Sequence, residues 1–125
     1  MDLANLKPVE RFIEIVLPTN GEKAGVRVTL LPMTDRKLEK VKRQIQNKSL
    51  VLHSRGKNFS ADEVAENEKE LLLAAVVGWE WYAAKFHNEV PAFTAQKVAE
   101  VFDELPWFKA QIIEALEDEK AFFSV

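Results

Sequence analysis

Cysteine is absent from this chain of 125 residues. Disulfide staples, thiolate metal sites and cysteine nucleophiles are therefore excluded, and a reducing compartment fits. Histidine occurs only twice, at His53 and His87, with no second histidine or clustered carboxylate at ligand spacing. The His-Glu-x-x-His arrangement of a catalytic zinc site is missing. The four glycines never gather into a phosphate-cradling loop, and none of Ser49, Ser54, Ser60 and Ser124 sits in a nucleophile-elbow sequence. The acidic neighbours Glu117, Asp118 and Glu119 fall on consecutive helical positions, which point apart and suit solvent. The expectation is a protein that is not an enzyme and needs no cofactor or metal.

Long hydrophobic runs are lacking too. The longest, Leu71 to Val77, has seven residues, against the roughly 20 that a membrane-spanning helix needs. The opening Met1-Asp2-Leu3-Ala4-Asn5-Leu6-Lys7 does not have the basic-then-apolar build of a secretory signal. A cytoplasmic chain with no membrane partner is expected. With 47% apolar and 30% charged residues, it has the composition of a globular protein, and its length suits one domain, residues 1–125.

Charge is unevenly placed. The net charge is −3, but from Arg36 to Lys57 eight basic residues stand against Glu39 alone. From Asn58 onward fourteen acids face five lysines, a surplus of nine negative charges. A basic helix beside an acidic body can bind nucleic acid, pair with the acidic part of a neighbouring copy, or be a solvated face. No aromatic interleaves the lysines, so a stacking platform for single strands is missing. Arg36, Lys40 and Arg43 are the candidates on this segment for contact with another protein.

Along the chain, Ile13, Ile15 and Leu17 alternate with Glu14, and Val26, Val28 and Leu30 alternate with Arg27 and Thr29. This period of two predicts a β-hairpin over 11–31, turned at Asn20-Gly21 with Gly25 as a bulge position. Thr34 or Asp35 caps a basic helix over 35–55, striped by Leu38, Val41, Ile45 and Leu52 and ended by Gly56. Ser60-Ala61-Asp62-Glu63 is a capping box that opens a central helix over 61–82. Thr94 and Pro106 start the two members of a C-terminal helical pair over 95–123. The predicted fold is α+β, mainly α: an N-terminal β-hairpin followed by about four helices. Among the large aromatics, Trp79 is assigned to the core by its spacing from Ala75. Trp81, on another face of the predicted helix, and Phe122 and Phe123, beyond the last apolar helical turn, are the candidates for an exposed protein-binding surface.

The stretch Leu73-Ala74-Ala75-Val76-Val77-Gly78-Trp79-Glu80-Trp81, then Phe93-Thr94, the Leu105-Pro106-Trp107 step and the closing Ile112 to Phe123 resemble tail assembly chaperones of lambda-like siphophages and prophages. The resemblance extends over nearly the whole chain. Its motifs concern packing and capping, and none transfers as a defined binding site. It implies a protein made during virion assembly in the host cytoplasm and absent from the mature virion. Such chaperones bind the long helical tape measure protein, keep it soluble and help present it to tail tube subunits. They are commonly made in two lengths by backward ribosomal slippage. Ala121-Phe122-Phe123 can be encoded with an unbroken run of uridines, so both forms would share residues to about Phe123 and diverge at Ser124-Val125. Two other classes stay open: a minor structural tail or head–tail connector protein, and a DNA-binding regulator, which the overall acidity disfavours.

Overall fold

The computed structural model describes residues 2–123. The alternation of β-branched residues produces β1 (Arg11–Val16) and β2 (Lys23–Leu30), antiparallel as expected. Their register slips between Glu14 and Val16, where β2 carries extra residues around Gly25. Gly25 has φ +94°, and a Cβ there would lie 2.8 Å from the Ala83 backbone, so this bulge requires glycine. Then follow α1 (Arg36–Ser54), α2 (Ala61–Ala75), β3 (Val76–Trp81), α3 (Ala95–Glu104) and α4 (Pro106–Glu117). A 3-10 turn over Glu119–Phe122 comes after α4, so the C-terminal helical pair ends at Glu117 rather than running to residue 123.

The helix ends follow their sequence signals. Asp35 accepts from the Lys37 amide at the start of α1. At its far end Gly56, at φ +68°, and Lys57 donate to the carbonyls of His53 and Leu52, closing a Schellman motif. Ser60 and Glu63 form both bonds of their capping box, and Thr94 accepts from the Lys97 amide. Pro106 takes the first position of α4, where its missing N–H costs nothing.

The expected central helix over 61–82 is wrong beyond Ala75. Residues Val76–Trp81 form a third strand, antiparallel to β2, so the sheet has the order β1-β2-β3 rather than being a lone hairpin. Two β-branched valines and the alternation Trp79-Glu80-Trp81 favour strand at that point, and Gly78 disfavours continuing the helix. The third strand also meets a physical need, since an isolated hairpin is marginal in water.

All four helices lie on one face of this sheet. Ile15, Val26, Val28, Leu30 and Trp81 pack from the sheet against Leu38, Leu72, Val98, Val101, Phe102, Phe108, Ile112 and Leu116. The outer edge of β1 is closed by a side chain acting as a strand: the Gln111 amide accepts from Val16 N–H at 2.9 Å and donates to Val16 C=O at 2.8 Å. Further along, Val9 N–H donates to Phe122 C=O at 2.7 Å. Covering an edge in this way suppresses unwanted strand addition. No helix among the described residues is long and apolar enough to cross a membrane.

Candidate functional site

The fold separates the residues expected to form a binding surface. Trp81 is buried, at 9% exposure, with its ring stacked on Phe108 at 6.0 Å. Its place on a strand explains the correction: Trp79 and Trp81 share the inner face, with edge-to-face rings 5.5 Å apart. Trp79 is half-buried and donates its indole N–H to Pro91 C=O at 3.2 Å. Phe122 is also buried, at 2% exposure, with the Arg11 guanidinium over its ring. Neither Trp81 nor Phe122 is the exposed aromatic expected from the sequence. Phe123 is, at 41% exposure.

Phe123 stands at one end of an apolar groove. Two adjoining cavities, of about 280 and 480 Å³, share Met33, Leu116 and Glu119. Pro8, Pro32, Phe122 and Phe123 line the first, and Leu71, Leu72 and Ile113 line the second. The walls come from the β2–α1 connection, α2, α4 and the 3-10 turn. Met33 is fixed by its own carbonyl, which accepts from Lys42 Nζ at 2.8 Å. Glu68, Glu117 and Glu119 rim the groove. Glu68 pairs with Lys109 at 3.6 Å, whereas Glu117 and Glu119 are exposed and make no ion pair among the described residues. The groove therefore offers an apolar floor under a negative rim. Sequence reasoning missed Met33, Leu71 and Ile113, because three distant segments meet only in the fold.

Arg36, Lys40 and Arg43 are exposed on α1 at helical spacing, with no ion pair among the described residues. They form a basic stripe. Leu38 is the one buried residue of α1, and Leu50 and Val51 are more than half exposed. Most of this helix thus faces outward, beside the first part of α2.

The titratable groups that move lie on the open face of the sheet. The Arg27 guanidinium, 2.6 Å from Glu14, holds that carboxyl below its usual range, helped by the Tyr82 hydroxyl donating at 2.8 Å. The same hydrogen bond to Glu14 raises the Tyr82 phenol. Among the described residues no three His, Asp or Glu side chains gather as a metal site. No protein-family model, curated protein or solved structure matches the chain.

Proposed function

We propose that this protein is a tail assembly chaperone of a lambda-like siphophage or prophage, which binds the tape measure protein and keeps it soluble during tail assembly. The observation that supports the reading is the groove: apolar walls ending at the exposed Phe123, under the exposed carboxylates of Glu117 and Glu119. Such a surface suits an amphipathic helix whose apolar stripe is flanked by lysine or arginine. A long helical client displays such stripes repeatedly and aggregates through them when they are left bare. The role requires binding alone, with no catalysis and no cofactor, and places the protein in the host cytoplasm and outside the mature virion.

The extended form of this reading recruits tail tube subunits through an added domain. Phe123 lines the groove and bridges to Pro8, so an extension shared to that point would leave beside the client. The divergence at Ser124-Val125 falls outside the described residues.

Co-expression with the tape measure protein tests the proposal. The wild-type chain should keep the client in the soluble fraction. Phe123→Ser, and separately Glu117→Lys with Glu119→Lys, should lower that recovery while the melting temperature stays nearly constant. Unchanged recovery in both variants would refute the groove as the client site. Mass spectrometry of purified virions should find the protein absent, and its presence would favour a minor tail or connector protein.

A further inference from the structure

Two helices of this fold extend past its core. From residue 39 to residue 71, which takes in most of α1 and the larger part of α2, no residue is buried. Leu38 is the one residue of α1 in the core, and Leu72 is the first of α2. The two helices lie against each other, with Lys48 Nζ 3.9 Å from a Glu70 carboxylate oxygen. The other side of α1 is exposed.

That exposed side has a chemistry of its own. Leu50 is 61% exposed and Val51 51%. Lys40, Arg43 and Asn47 stand beside them at helical spacing and are exposed as well. An apolar pair next to lysine and arginine matches the ligand chemistry proposed for the groove, whose apolar walls lie under the exposed carboxylates of Glu117 and Glu119. The chain thus carries both the site and a helix with the chemistry of its ligand. A nucleic acid is a poorer match for this helix, because Asp62, Glu63, Glu66 and Glu68 of α2 run beside it.

A rigid helix cannot fold back into the groove beside which it begins. Met33 lines both cavities of the groove and stands just before α1, and its carbonyl is held by Lys42 Nζ at 2.8 Å. At 1.5 Å per residue, Leu50 lies about 21 Å from the start of α1. Leu50 and Val51 are therefore out of reach of their own groove and available to another. We propose that, when no client is bound, the exposed side of α1 around Leu50 and Val51 seats in the groove of a second copy. Lys40 and Arg43 come to the acidic rim, which makes the contact sensitive to salt. It joins two different surfaces, so it repeats head to tail and builds open assemblies. A client helix competes for the same groove and releases the neighbouring copy. The inference rests on the reading of the groove as a site for amphipathic helices.

Complementation between two variants tests this contact, read by sedimentation and light scattering at about 0.1 M salt, where the Debye length is about 10 Å. The wild type should form assemblies that grow with concentration. Leu50→Glu with Val51→Glu removes the apolar pair with a good helix former, and Glu117→Lys with Glu119→Lys reverses the rim. Each double variant should raise the Kd of self-association at least about tenfold, with a nearly unchanged melting temperature. Mixed, the two variants hold one intact helix face and one intact groove between them, so they should form a 1:1 dimer and nothing larger. A wild type monomeric at every concentration, variants that assemble like wild type, or a mixture that stays monomeric would overturn the proposal. The helix variant keeps its groove, so it should hold co-expressed tape measure protein in solution at least as well as wild type. Client retained without any assembly would sink this contact alone, whereas assembly and complementation without client retention would sink the chaperone reading alone.

Discussion

Phe122 and Phe123 are neighbours that the fold sends to opposite sides of the surface, and truncating each gives a sharp test of that division. Phe122 is 2% exposed, with the Arg11 guanidinium 5.4 Å from its ring centre. Phe122→Ala removes a complete phenyl group from a closed site, which costs about 3–5 kcal/mol. Losing the cation–π contact adds about 0.5–1 kcal/mol. In a domain of this size 1 kcal/mol moves the melting temperature by about 3–5 °C, so a fall of about 10–30 °C is expected. Phe123 keeps 41% of its surface in water. Fully burying a phenylalanine is worth roughly 1.5–3 kcal/mol, so Phe123→Ala should cost about 1 kcal/mol and only a few degrees. Thermal melts followed by circular dichroism, with urea titrations to check that the m-value is unchanged, read both variants directly. Equal losses, or a larger loss at Phe123, would refute the assignment of Phe122 to the buried core and of Phe123 to the exposed end of the groove.

Gly25→Ala should destabilise by more than about 2 kcal/mol in a urea titration, because it adds left-handed strain to a contact with backbone; a neutral result would contradict the bulge geometry. The segregated charge should drive association at low salt. Larger species are expected near 0.01 M salt, where the Debye length is about 30 Å, and should shrink near 1 M, where it is about 3 Å. Light scattering that shows one size throughout would remove the basic stripe of Arg36, Lys40 and Arg43 from the account. Glu14 has its folded pKa lowered, so its contribution to stability is present above its unfolded pKa and is lost as pH falls through the folded value. Glu14→Gln should therefore flatten part of the decline in melting temperature between about pH 5 and pH 3; parallel curves for the two proteins would show that the Arg27 and Tyr82 contacts do not hold in solution.

The elements legible in the sequence were those with a local cause. The hairpin alternates with period two, α1 begins at Asp35 and ends at Gly56, and the capping box at Ser60 marks the start of α2. The boundary at Ala75 was hidden, because a run apolar on every side has no period and reads equally as buried helix or buried strand. Treating residues 76–82 as helix then rotated Trp81 away from Trp79, whereas the strand puts both rings inside. Phe122 was misplaced for a different reason. The helical pattern stops at Glu117, and only the 3-10 turn that folds the chain back toward Val9 sends Phe122 inward and Phe123 outward. The groove had no local signature at all, since Met33, Leu71 and Ile113 are brought together by tertiary packing.

The groove ending at Phe123 is the proposed seat of the tape measure protein, and site-specific photo-crosslinking tests that proposal most directly. A photoreactive phenylalanine analogue placed at position 123, on the groove, or at position 12, on the open sheet face, would be activated in cells co-expressing the client. The account predicts crosslinks to the tape measure protein from position 123 and none to it from position 12. Crosslinks to the client from position 12 alone, or none from position 123, would contradict it.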